Sequence, residues 1–339
     1  MNRLRLATTL AAALFVSASA CTSAKHAPMI PASQLEADAK NAPPIDPADK
    51  PTTPTTLATK AVTEPPPVTM GPISVTTASP EKVAVKVLDA GAKTGRRDLT
   101  FKVKAGDKQK VNYVLNAAFA APGGEVTTFP TTIFAGETEI RAVTGKDISY
   151  RFVSTSVDVR ATPDQVAAAK DLRQQMQVLK GLVINGTVDT SGLMGTTEYS
   201  LPNAPEAARN VLQEMLAMFP IWMLVPSAPM GNGATWQVTR PFNTNGISLT
   251  VTYTCKLALV AGNAKITATA KVTALSQDLG QGATMTDVTG TGTFAVDFDN
   301  TRLYGNQTAK LDPSFTLKQD SQSAQVGMSF APEFELPTP

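Results

Sequence analysis

From Glu81 onward the chain alternates apolar and polar residues with a period of two, interrupted by short turn-forming runs. Val83, Val85 and Val87 alternate before Asp89-Ala-Gly91, and Leu99, Phe101 and Val103 before Ala105-Gly-Asp107. Val111, Tyr113, Leu115, Ala117 and Phe119 follow the same rule up to Pro122-Gly-Gly124. Each run reads as one antiparallel strand. Residues 125–134, 137–144 and 148–159 continue the series, with Pro130 marking an edge or a bulge. The most regular stretch comes later, where Ile247, Leu249, Val251, Tyr253, Cys255, Leu257 and Leu259 alternate with a Ser, Thr and Lys face. After Gly262-Asn263 the pattern resumes through Ile266, Ala268, Ala270, Val272 and Ala274. With Gly262-Asn263 as a two-residue turn, Leu259 faces Ile266, Leu257 faces Ala268, Cys255 faces Ala270 and Tyr253 faces Val272, so apolar meets apolar throughout. At about 3.3 Å per residue the first arm approaches 50 Å, a length suited to a curled sheet.

Two interruptions have a helical period. Thr162-Pro163-Asp164-Gln165 forms a capping box with proline at the first helical position, and Val166, Ala169, Leu172, Met176 and Leu179 form one stripe before Gly181. A strand over 182–189 follows. A second helix is expected from Asn203, with a stripe of Ala208, Val211, Leu212, Met215, Leu216 and Phe219 that Pro220 ends. Beyond Trp236, which opens a strand, a hairpin is expected around Phe294, Val296 and Phe298 with its turn at Asp299-Asn300, placing Phe294 opposite Gly305. Strands at 314–318 and 324–330 finish the region. The expectation is a mainly β domain over 81–336: a long curled antiparallel sheet, half-barrel or barrel-like, of ten or more strands with two helices inserted mid-domain.

The first eighty residues are of two other kinds. Arg3 and Arg5 precede an uncharged apolar stretch, Leu6 to Val16, too short to span a bilayer, and Ala18-Ser-Ala20 leads into Cys21. Residues 1–20 read as a cleaved secretory signal. Residues 22–80 carry 12 of the 25 prolines and no Phe, Trp or Tyr, so they cannot bury enough apolar surface to offset their ordering entropy. With Cys21 they read as an anchor and tether, with an extended reach on the order of 180 Å at roughly 3.1 Å per residue.

Composition narrows the function. The chain has 30 Lys plus Arg against 28 Asp plus Glu, and loss of Arg3 and Arg5 with the signal makes the mature protein formally neutral. No basic excess exists for nucleic acid or for a polybasic membrane segment. The single histidine, His26, lies in the tether, so histidine-based triads and His/Cys metal sites have no material in the folded region. Gly290-Thr-Gly292-Thr-Phe-Ala295 has the letters of a dinucleotide fingerprint, but the alternation of Phe294, Val296 and Phe298 continues it as a strand where a helix is required. Asp297-Phe-Asp299-Asn300 opens like a calcium loop, yet Thr301 breaks the ligand series and the sixth position is not glycine. No catalytic set, metal or cofactor is expected, and the reading is non-enzymatic.

One passage invites a ligand. Between Glu214 and Arg240 there is no charge, and Met215, Met218, Phe219, Trp222 and Met223 precede Pro226 and Pro229. Methionine-rich apolar surface serves irregular cores and adaptable binding surfaces alike. Together with Trp236 these residues form the candidate apolar pocket, for a lipid or amphiphile; a core helix with its exit loop is the other reading.

The small residues before Cys21 resemble the lipobox of bacterial lipoproteins, a likeness that the proline-rich tether extends. The resemblance implies a lipid on Cys21, and Thr22 after it implies sorting to the outer membrane where the cell has two membranes. Ala18 stands where the lipobox prefers leucine, and Ala18-x-Ala20 equally suits the ordinary signal peptidase, which leaves a soluble secreted protein. The folded region loosely resembles β-rich envelope lipoproteins and the half-barrels of lipid carriers, by architecture and without a motif. The implied alternatives are a membrane-tethered envelope protein that binds an apolar ligand, or an interaction module that meets protein partners through its edges or threonine-rich faces.

Overall fold

The computed structural model describes residues 70–76, 83–120, 126–205, 209, 224–244, 247–260, 262–280, 282–319 and 322–337. Among them fifteen strands form one sheet: β1 (Met70–Thr76), β2 (Ala84–Asp89), β3 (Lys108–Ala120), β4 (Val126–Thr128), β5 (Thr131–Thr144), β6 (Asp147–Arg160), β7 (Val183–Asp189) and β8 (Met194–Pro205), then β9 (Thr235–Thr244), β10 (Ile247–Val260), β11 (Asn263–Thr273), β12 (Gln277–Gly280), β13 (Ala283–Phe298), β14 (Gln307–Gln319) and β15 (Gln322–Glu335). A mainly β, antiparallel, many-stranded fold is therefore what the alternation encodes. Helix α1 (Val166–Met176) sits between β6 and β7, flanked by single 3-10 turns.

The sheet runs β1-β8-β7-β6-β5-β3-β15-β14-β13-β11-β10-β9-β2, with β12 added beside β13 and β4 beside β3. Every pairing is antiparallel, so across this path of thirteen strands the two edges, β1 and β2, run the same way and cannot close on each other by an antiparallel ladder. A flat sheet of that width would separate its edges by about 58 Å at about 4.8 Å per strand. Yet β1 ends at Thr76 and β2 begins at Ala84. The chain between them reaches at most about 28 Å at about 3.5 Å per residue, so the sheet must curl. The chain that leaves β8 at Pro205, beside one edge, returns at Leu224, whose carbonyl accepts a hydrogen bond from Trp236 on β9, beside the other. On the way Arg209 donates to the carbonyl of Ser74 on β1 (2.9 Å).

Apolar side chains fill two cores on the concave side. One gathers Trp236, Val251, Tyr253, Cys255, Leu257, Ile266, Met285, Phe294 and Leu311; the other gathers Tyr113, Phe134, Ile148, Tyr150, Leu182, Tyr199, Leu201 and Phe334. Phe298 packs against both. Gly290 and Gly292 explain why a fingerprint-like string is a strand. A Cβ on Gly292 would lie 2.3 Å from the Lys310 carbonyl oxygen, and one on Gly290 2.7 Å from Pro313 Cα. The glycines let β13 and β14 approach where Val272, Ala270 and Leu311 already occupy the space.

Several expectations change in detail. In the hairpin of β10 and β11, Leu259 pairs with Ala264, Leu257 with Ile266, Cys255 with Ala268 and Tyr253 with Ala270. The turn lies between the paired Val260 and Asn263, where Gly262 takes a left-handed φ of 87°, so Asn263 is already in the strand. The partners move by two residues, which preserves parity, so each side chain keeps its face. Leu99, Phe101 and Val103 are buried alternately but form no ladder, because Phe101 N–H donates to Thr190 O (2.7 Å) and Lys102 N–H to Asn300 O (2.6 Å) in neighbouring loops. Phe294 pairs with Ala309, not Gly305, since residues 299–306 make a long loop in place of a tight turn. There Asp299 accepts from Thr301 N–H (2.9 Å), and Asn300 Nδ2 donates to the carbonyls of Asp98 and Thr100.

At the chain's other transitions, β1 lies inside the stretch read as tether, and its Ile73 is buried. The second helix cannot begin at Asn203, because β8 continues to Pro205; beyond Pro205, of the residues expected in the helix, only Arg209 is described, and it is helical. The capping box at Thr162 forms, with Thr162 N–H donating to Gln165 Oε1 (3.3 Å), although Val166 of the expected stripe faces solvent. Arg173 holds α1 to β6 through the Val159 carbonyl and an exposed ion pair with Asp158 (3.3 Å).

Candidate interaction face

Side chains on the convex side of β9, β10, β11, β13 and β14 form a grid set by strand register. One row reads Thr235, Lys256, Thr267, Ala295, Thr308, and the next Gln237, Thr254, Thr269, Thr293, Lys310. The third reads Thr239, Thr252, Lys271, Thr291, Asp312, and the fourth Pro241, Thr250, Thr273, Thr289, Ser314. Neighbours in a row are about 4.8 Å apart and rows about 6.7 Å apart. Threonine holds three positions in every row, and no aromatic or large aliphatic side chain interrupts it. Threonine suits such a surface because its branched Cβ favours the strand while its hydroxyl stays in water.

The hydroxyls are tied laterally. Thr239 Oγ1 and Thr252 Oγ1 lie 3.2 Å apart, Thr289 Oγ1 and Ser314 Oγ 3.3 Å apart, and Gln237 Nε2 donates to Thr254 Oγ1 (3.5 Å). Such bonds favour particular rotamers of the side chains they join. Lysines punctuate the array and its margins: Lys256, Lys265, Lys271 and Lys318 are exposed and, among the described residues, in no ion pair. Lys310 meets Asp312 at 3.1 Å. Lys86 extends the basic character onto β2, all six of whose residues are exposed.

Trp236 is fully buried, its ring in the first core and its Nε1 donating to Leu224 O (3.0 Å). Met215, Met218, Phe219, Trp222 and Met223 lie outside the described residues, as does Cys21. Cys255 is buried, and burial pushes its thiol up to about 12. One cavity of about 20 Å³, room for about one water, lies among Phe101, Phe298, Leu303, Tyr304 and Phe334.

Beside that cavity is a group that the alternation alone does not single out. Tyr113, Tyr150, Tyr199 and Tyr304 are all buried in the second core. Burial raises all four phenols; Tyr199 is raised further by the charge that Tyr150, Tyr304 and Tyr113 would bear on ionising, and Tyr150 rises to about 12 although the neighbouring Thr197 acts the other way. The backbone of Tyr304 exchanges two hydrogen bonds with the Gln109 amide (2.7 and 3.1 Å). Gly186 makes room for Tyr150: a Cβ there would lie 2.5 Å from the phenol oxygen. The only earlier sign of the cluster is that Tyr113 takes an apolar place in its alternating run.

No protein-family model matches the chain, and no curated protein sequence matches it. Among solved structures it is similar to a loop L8 deletion mutant of OmpT, an outer membrane protein of Vibrio cholerae, at 8% identity and a TM-score of 0.18, over 68% of this chain and 100% of that one. It is also similar to Pseudomonas aeruginosa OccK2 (OpdF) in complex with glucuronate, at 10% identity and a TM-score of 0.16, over 67% and 66%. Both are many-stranded β proteins, and at such TM-scores the likeness carries no argument about function. The present sheet also faces the other way from a lipid-embedded barrel, with threonine and lysine outside and the apolar core inside.

Proposed function

We propose that the protein is a non-enzymatic component of a bacterial envelope, lipid-anchored through Cys21 and held off the membrane by its proline-rich tether. Its β domain acts as an interaction module whose docking surface is the threonine and lysine face. The observation that carries this reading is the grid itself: five adjacent strands present rows of threonine hydroxyls to solvent, with Lys256 and Lys271 among them in no ion pair with a described residue. The rival reading, a bound lipid or amphiphile on the concave side, rests on Met215, Met218, Phe219, Trp222 and Met223, which lie outside the described residues.

Two measurements test the proposal. The intact mass of the mature protein from membrane and soluble fractions, compared with Cys21→Ala, is expected to show an acylated Cys21 that the variant lacks. An unmodified chain would make the protein a secreted one. Crosslinking of whole cells from a photoreactive residue at Thr269, mid-grid, is expected to capture a reproducible envelope component. The same probe at Ser149, on the outward face of β6, is the control, and equal capture from both would remove the grid as the docking surface.

A further inference from the structure

We infer that the partner of the threonine and lysine face is an acidic polysaccharide, an inference that rests on reading that face as the docking surface. Charge is the first reason. In a mature chain of zero formal charge, the convex side of this half of the sheet gathers Lys86, Lys256, Lys265, Lys271, Lys310 and Lys318 against Asp89, Asp278, Asp297 and Asp312, and within the four rows Lys256, Lys271 and Lys310 stand against Asp312 alone. Acidic side chains of the other half, such as Glu137 and Glu139, are held by Lys108 and Arg141. The rows of the grid complement negative charge.

Spacing is the second reason. By strand geometry, Lys256 and Lys271, or Lys271 and Lys310, stand about 12–14 Å apart at the backbone. That exceeds a Debye length of about 8 Å at physiological salt, so each lysine acts on its own anionic group. A small anion reaches one lysine and gains little; a chain bearing repeated carboxylates or phosphates meets several in one event. The third reason is what lies between the lysines. Threonine hydroxyls both donate and accept, as the hydroxyls of a sugar chain require. A bilayer, by contrast, favours a face with apolar side chains to insert, and the grid has none of size. Nucleic acid needs a denser positive track than these isolated lysines.

Binding of the purified mature protein to polygalacturonate, with neutral dextran as control, tests the inference. Retention on polygalacturonate and not dextran is expected, weakening at least tenfold between about 50 and 200 mM salt. The combined substitutions Lys256→Gln, Lys265→Gln and Lys271→Gln, all at exposed positions, should weaken it at least tenfold, while Lys108→Gln and Lys110→Gln on the other half should not. Unchanged binding in the triple variant would overturn the site. Vesicles of phosphatidylglycerol and phosphatidylcholine separate the two levels, because a lipid anchor inserts into both alike. A preference for phosphatidylglycerol that the triple variant abolishes, without polygalacturonate binding, would overturn the glycan and leave the docking face standing. Binding to neither polyanion would overturn both.

Discussion

At the scale of single residues, burial decides what each distinctive side chain can do. Trp236 has an aromatic body inside the first core and an indole N–H that must find an acceptor, which Leu224 O supplies. Trp236→Phe keeps much of the packing but leaves that carbonyl unpaired in a dry site. It should destabilise the domain by about 2–3 kcal/mol in urea unfolding followed by circular dichroism. A loss below about 0.5 kcal/mol would mean that water reaches the carbonyl. Cys255 is a small hydrophobe whose thiol burial holds protonated, at about 12. A thiol reagent at neutral pH should leave it unmodified in the folded protein and label it fully in denaturant; fast labelling of the native form would contradict the packed core.

At the scale of elements, glycine shows how one substitution has two physical meanings. Gly262 sits in open space at the tip of the β10 and β11 hairpin with a φ of 87°, so Gly262→Ala should cost about 1 kcal/mol through backbone strain alone. Gly292 lies within a strand, where an added Cβ meets the Lys310 carbonyl oxygen at 2.3 Å and Leu311 Cδ2 at 2.6 Å. Gly292→Ala should cost about 3 kcal/mol or more, because strands β13 and β14 must part. Paired urea midpoints check the order; equal losses would show that this part of the sheet yields easily. The same hairpin shows what alternation can and cannot say. It assigns each residue of β10 to a face, yet it leaves the partners free to move by two, which the position of the left-handed residue then settles. The extended run from Leu99 to Val103 has strand periodicity and alternate burial without a ladder, since its backbone groups are taken by Thr190 and Asn300. Side-chain period reports burial, not hydrogen-bond partners.

At the scale of the whole molecule, the tyrosine cluster couples stability to alkaline pH. Tyr113, Tyr150, Tyr199 and Tyr304 all ionise less readily in the fold than in an unfolded chain, chiefly through burial. The unfolded chain therefore releases phenol protons that the folded state retains. Stability is full below pH about 10 and falls as the pH rises through the window that extends to about 12 for Tyr150 and beyond for the others. Four buried phenols should make that fall steep, with phenolate absorbance rising together with unfolding. Phenolate formation well below the unfolding transition would show that the cluster is open to water.

The sequence by itself determined the material of each part: a signal-like and proline-rich beginning, then a long β region whose apolar residues fall on one face of each strand. Local periodicity and turn chemistry suffice for that, because a strand's two faces are written in consecutive residues. What only the tertiary structure decided is which strands are neighbours. The order of the sheet, its curl, the four tyrosines meeting in one core, and the grid of threonine and lysine across five strands all depend on register between residues distant in the chain. A composition with a formal charge of only +2 conceals this clustering of threonine and lysine for the same reason: composition sums residues over the molecule, and folding sorts them in space.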